Sequence, residues 1–143
     1  MKTFVNVGAW VRDSFFSPAT RERLEKLGEV AYCEGNALGG DELRRAVRGF
    51  DVVMTGWAQP TVHAADIPGV KMVLHTGGTV GGIVDPDVFD AGIPVLSGNR
   101  YYAESVAEGV IAYMLFALRD MGYYSSELKA GRWQPTHNEG LLD

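Results

Sequence analysis

The sequence predicts an α/β protein: a flavodoxin-like five-stranded parallel sheet with flanking helices, followed by a long apolar C-terminal helix. Three observations carry this reading. Five short apolar runs recur, each closed by turn residues. Helix-start signals fall between them, so strands and helices alternate at short intervals, the pattern of right-handed βαβ units. The run "DVVMTG" is apolar without alternation, as a strand covered on both faces must be.

"TFVNVGA", from Thr3 to Ala9, is the first strand. Ser17-Pro18 starts a helix, with a capping hydroxyl and a proline in the first turn. "RERLEKLG" continues it, placing Leu24 and Leu27 on one face and stopping at Gly28. "EVAYCEG" is the second strand. Gly39-Gly40 and Asp41, a good N-cap, introduce "ELRRAVRGF", a helix that turns Leu43, Val47 and Phe50 inward. "DVVMTG" and "VKMVLHTGG" are the third and fourth strands. Asp85-Pro86 caps the helix "PDVFDAG", and "IPVLSG" is the fifth strand.

From Glu104 to Trp133 the pattern changes, and "ESVAEGVIAYMLFALRDMGYYSSELKAGRW" reads as helix throughout. Between Gly109 and Leu118 it carries no charge on any face, so something must cover all of it. The apolar stretch is short of the roughly 20 residues a bilayer requires. A one-sheet domain covers one face; a second domain or a second copy of the chain would cover the other. The organisation is therefore a substrate-binding domain over residues 1–100 and a helix with linker over 101–143.

With 143 residues, 46% of them hydrophobic, the chain can build one real core. A net charge of −5 argues against nucleic acid, whose phosphates need a basic patch. The single cysteine, Cys33, excludes an internal disulfide and suits a reducing cytoplasm. No CxxC pair and no two of the histidines His63, His75 and His137 at i,i+4 spacing give a recognisable metal site. The N-terminus lacks the apolar core of a signal peptide, so the expected location is the cytoplasm.

In open α/β sheets ligands sit beyond the carboxyl ends of the strands. There the sequence places "GAWVRD", "TGWAQP", "HTGGTVGG" and "SGNRYYAES". Gly77, Gly78, Gly81 and Gly82 either turn a corner or let a ligand approach backbone N–H groups closely. The convergence of Trp10, Trp57 and the Asn99–Tyr102 cluster at that edge favours binding. His75 suits a general base, or else is a polar residue bonded at a strand end. Trp10 reads as a core or interface residue, and His137 as solvated.

"TGW", then "VLHTGGTVGGIVDPDVFDAGIPVLSGNRYYAESVAEGVIAYMLFALR", resembles the N-terminal half of the D-isomer-specific 2-hydroxyacid dehydrogenases. Ser105, Val106, Ala107 and Glu108 match the segment that opens that family's long helix. The resemblance implies a flavodoxin-like substrate domain whose glycine loop, here Gly77, Gly78 and Thr79, offers N–H groups to a substrate carboxylate. It implies Trp57, His75 and Thr76 around the substrate, and Tyr102 and Ser105 near the nicotinamide of NAD or NADP. For Ser105, helix capping is the rival reading. It also implies a homodimer through the helix of residues 101–120 and a small 2-hydroxy or 2-keto acid as substrate.

The chain departs from that family in one respect. No G-x-G-x-x-G follows a strand, and the resemblance assigns the catalytic arginine, glutamate and histidine to the nucleotide-side half. The expectation is thus the N-terminal part of an NAD(P)-dependent oxidoreductase, itself inactive, with no catalytic residue in this chain. The alternatives are a free-standing small-acid binding module and a purely assembling domain. A receiver domain fits poorly, because Met54-Thr55-Gly56 stands where a phospho-accepting aspartate belongs. The loop after the first strand is no rich phosphate nest for a flavin.

Overall fold

The computed structural model describes residues 1–133. Five strands, β1 (Lys2–Asn6), β2 (Glu29–Tyr32), β3 (Val52–Thr55), β4 (Met72–His75) and β5 (Val95–Ser97), form one all-parallel sheet in the order β2-β1-β3-β4-β5. This is the flavodoxin-like order anticipated from the sequence. The chain divides into two compact units, residues 1–100 and 101–143.

In the first unit a core cluster lies on each face of the sheet, and the alternation of β1 shows how. Phe4 joins a cluster with Leu43, Val47, Val53, Ile67, Val73 and Val88, while its neighbour Val5 joins one with Val7, Val11 and Phe16. Successive side chains of a strand point to opposite faces, so these clusters are the two layers. The first is closed by α3 (Gly40–Ala46) and α4 (Pro86–Asp90), the second by α1 (Ala9–Phe15) and α2 (Pro18–Glu25).

The capping signals act as read at two helices. Ser17 Oγ accepts the Thr20 N–H at 3.2 Å, and Asp85 Oδ1 accepts the Asp87 N–H at 3.0 Å, each beside a proline in the first turn. The sequence reading differs from the structure at five places. Residues 9–15, read as a loop, form α1, anchored by Val11 in the core. Gly39, not Asp41, is the N-cap of α3, and Asp41 lies in its first turn, where its charge suits the helix dipole. Leu27 falls beyond the end of α2 and is 64% exposed, while Leu24 packs on the core. Trp10, read as a core or interface residue, is 75% exposed, which rules out the core.

The fifth difference concerns the second unit. The long helix is two: α5 (Asn99–Leu118) and α6 (Met121–Lys129). Asp120 between them adopts the left-handed conformation at φ 47°, which a continuous helix excludes. Because α5 begins at Asn99, Ser105 lies in its second turn and is no cap. No residue of α5 is buried, and Val110, Ile111, Met114, Leu115, Phe116 and Leu118 are each more than half exposed. Among the described residues no helix is long and apolar enough to cross a membrane.

Leu43 is fully buried between α3 and the sheet. Leu43→Ala should destabilise the chain by about 3 kcal/mol in urea titration, because truncation removes apolar burial and leaves a cavity.

Candidate functional site

Parallel register aligns the carboxyl ends of four strands. Asn6 of β1 stands beside Thr55 of β3, Thr55 beside His75 of β4, and His75 beside Ser97 of β5. A polar row thus closes an apolar sheet at the edge where open α/β sheets bind ligands. Asn6, Thr55 and His75 are buried and must find partners. Asn6 finds both on Leu38: Nδ2 donates to its carbonyl at 2.9 Å, and Oδ1 accepts its N–H at 2.8 Å. Thr55 Oγ1 meets His75 Nδ1 at 3.0 Å. His75 Nε2 is buried with no partner among the described residues. Burial pushes the His75 pKa below its ordinary value, so the ring is neutral at neutral pH.

The glycine loop leaves β4 from this row and is tied down on both sides. The Thr76 N–H and hydroxyl both donate to the Thr55 carbonyl, at 2.9 and 3.0 Å. The Gly98 N–H is shared between the carbonyls of His75, at 3.0 Å, and Gly77, at 2.9 Å. The C=O and N–H of one trans peptide point in opposite directions. With the Gly77 carbonyl turned to Gly98, the Gly78 N–H is turned away from β5. At the far end the Val80 carbonyl accepts the N–H groups of Ile83 and Val84, both at 3.0 Å.

Between these anchors the N–H groups of Gly77, Gly78, Thr79 and Val80 have no acceptor among the described residues. Buried backbone donors are nearly always paired, and Gly77 is buried; its open N–H, followed by those of half-buried Gly78, exposed Thr79 and half-buried Val80 in a loop fixed at both ends, offers donors to an oxyanion. The glycines serve it for different reasons. Gly82 has φ +75° and is required by backbone conformation. Gly77 has no positive φ; a Cβ there would lie 2.5 Å from His75 Nε2 and 2.7 Å from Trp57 Nε1. Gly77 is required by space. Sequence reading saw a glycine-rich loop, but could not see which neighbour crowds which glycine.

Trp57 closes the other side. Its ring lies 4.8 Å from that of Phe15 and 6.1 Å, edge to face, from His75. The loop carrying it is strained, with Ala58 at φ 53°, and is pinned by Gln59 Oε1 accepting the Gly56 N–H at 3.0 Å. The buried Nε2 of Gln59 has no partner among the described residues. Of the residues singled out in the sequence, Trp57, His75, Thr76, Gly77, Gly78 and Thr79 gather at this edge. Tyr102, half-buried, and Ser105, exposed, belong to the second unit. Thr55, Gly98 and Gln59 were missed; their only sequence signal is that they end or follow strands.

Elsewhere, His63 Nδ1 lies 3.6 Å from Asp85 Oδ2 and 3.5 Å from Asp87 Oδ2, a grouping that spacing along the chain did not reveal. Both aspartates also accept backbone N–H groups, Asp85 from Asp87 and Asp87 from Ala64, so local turn structure accounts for them. The Cys33 thiol, pushed up by burial, donates to the Val7 carbonyl at 3.3 Å and is poorly suited as a nucleophile. His137 lies outside the described residues.

Gly77→Ala should destabilise by roughly 1–3 kcal/mol through overpacking against His75 and Trp57, whereas Gly81→Ala, whose Cβ meets only Thr79 Oγ1 at 3.5 Å, should change little in the same denaturation assay. His75 makes a second prediction, on pH. Its folded-state pKa lies below its unfolded one, so the stability it confers is complete above about pH 6.5 and is lost as pH falls below that value. Unfolding free energies at pH 7.5 and 5.5 should therefore differ more for the wild type than for His75→Gln.

No protein-family model matches the chain, and no curated protein does. Solved structures do. An acyclic imino acid reductase (Bsp5) in complex with NADPH and D-Arg superposes with a TM-score of 0.74 at 14% identity, over 96% of this chain and 43% of that one. The pyruvate reductase of Chlamydomonas reinhardtii gives 0.55 at 18% identity, over 97% and 40%. A D-3-phosphoglycerate dehydrogenase-like oxidoreductase from Ralstonia solanacearum, described as putative, gives 0.51 at 23%, over 92% and 40%. The chain spans about two fifths of the length of each of these proteins. What it shares with them is the fold of that part of their chains.

Proposed function

We propose that this chain is the substrate-side part of an NAD(P)-dependent oxidoreductase acting on a small D-2-hydroxy or 2-keto acid. The observation that carries the reading is the run of open N–H groups from Gly77 to Val80, held in place by Gly98 and Thr55. Fixed backbone dipoles suit a carboxylate because they bind it without a counter-charge and without reorganising. Trp57, His75 and Thr76 stand around that seat. The shared fold with two reductases and a dehydrogenase-like protein supports the reaction class.

NAD or NADP would supply the hydride in the parent protein. The residues of this chain do not fit the dinucleotide, since no G-x-G-x-x-G follows a strand. Its own contribution is to bind and orient the acid; Tyr102 and Ser105 are the residues assigned to the approach of the nicotinamide. No residue here takes the role of catalytic acid or base. The uncovered apolar face of α5 favours association of two chains through residues 101–120. The same observation favours a second reading, a non-catalytic small-acid binding or dimerisation module.

Two titrations by calorimetry test the site. Pyruvate should bind the chain, and methyl pyruvate, its carboxylate masked, should bind about tenfold weaker or worse, because the charge-assisted bonds to the loop are lost. Equal affinity would exclude a carboxylate seat. The chain alone should oxidise no NADH with pyruvate; turnover would overturn its assignment as a non-catalytic part.

A further inference from the structure

The proton on His75 can be placed by asking which tautomer leaves less unpaired. The Thr55 hydroxyl is fully buried, and its one hydrogen-bond partner is His75 Nδ1. If Nδ1 carried the hydrogen, the hydroxyl hydrogen of Thr55 would have no acceptor and the Nε2 lone pair no donor. If the hydroxyl donates to Nδ1, only the Nε2–H is left without a partner. One unmade bond costs less than two, so the network assigns the hydrogen to Nε2.

His75 is therefore a donor, and it has company. The N–H groups of Gly77, Gly78, Thr79 and Val80 and the amide nitrogen of Gln59 also have no acceptor among the described residues. His75 Nε2 and Gln59 Nε2 are thus buried side-chain donors beside four open backbone donors. They call for a ligand rich in lone pairs, with more oxygens than one hydrogen bond would use. We propose that His75 orients that ligand: its Nε2–H donates to an oxygen of the small 2-keto or 2-hydroxy carboxylate seated on the glycine loop. The inference rests on the reading of that loop as a carboxylate seat, and goes beyond it by giving the imidazole one tautomer, one role and no charge.

Gly77 and Trp57 close over Nε2 in the ligand-free chain, the Cβ position of Gly77 lying 2.5 Å from Nε2 and 2.7 Å from the indole. His75 is held within the sheet by Thr55, so the donor is fixed. Trp57 packs on Phe15 and its loop is pinned at Gly56, so a ligand oxygen reaches Nε2 only where this contact yields.

The test follows the imidazole nitrogens and the loop amides of the isotope-labelled chain during titration with pyruvate, beside the variants His75→Phe and His75→Gln. Phenylalanine keeps the ring and lacks the donor, whereas glutamine restores an N–H at the position of Nε2. The Nε2 resonance should be that of a protonated nitrogen and should shift on binding. Pyruvate affinity should fall about tenfold in His75→Phe and recover in His75→Gln. Loop amides that shift while Nε2 does not, with His75→Phe binding like wild type, would overturn the role of His75 and leave the carboxylate seat standing. If pyruvate moves neither, the seat and the inference fail together. Should His75→Phe not fold, the wild-type Nε2 resonance decides: protonated and shifted supports the role, unprotonated or unmoved overturns it.

Discussion

The buried contact between Thr55 and His75 is the interaction on which the candidate site depends. It exists because parallel register sets the last residues of β3 and β4 side by side, in a row that runs from Asn6 to Ser97. A polar pair in that position must be satisfied internally, and each partner has the other. Thr55 does more than hold the ring, since its carbonyl receives both the N–H and the hydroxyl of Thr76. One residue therefore fixes the imidazole and the first step of the loop that leaves it. Were the register to slip by one residue, Thr55 would face away and both would be lost.

From that fixed root the loop gains its chemistry by omission. Regular structure would pair the N–H groups of residues 77–80; here the carbonyls on either side are engaged elsewhere and the donors stay open. The ends of the loop are fixed, Thr76 on the Thr55 carbonyl and Val80 on Ile83 and Val84, and fixed dipoles hold an anion without a counter-charge. The overall charge of −5 is no obstacle, because the binding groups are local. The second unit obeys a different constraint. In α5, Val110, Ile111, Met114, Leu115 and Phe116 are each more than half exposed, so the described residues do not bury its apolar side.

Strand positions and order were legible in the sequence because apolar runs broken by turn signals leave few topologies. The caps at Ser17 and Asp85 were legible because a short polar side chain before a proline has a specific local job. Helix α1 was not, for only Val11 and Phe16 mark its buried side over barely two turns. Nor was the break before α6, because an aspartate in the left-handed conformation leaves no distinctive pattern. At the site the sequence offered a glycine loop, a histidine and a tryptophan. It withheld their arrangement: the need for glycine at 77 arises from residues 57 and 75, which reach it only through the sheet.

The most direct measurement is a crystal structure of the chain grown with oxamate, an unreactive analogue of pyruvate. The carboxylate should lie on the loop, its oxygens within about 3.2 Å of the N–H groups between Gly77 and Val80. A structure with oxamate bound elsewhere, or with those N–H groups paired to carbonyls of the chain itself, would contradict the assignment of this loop as the seat of the acid.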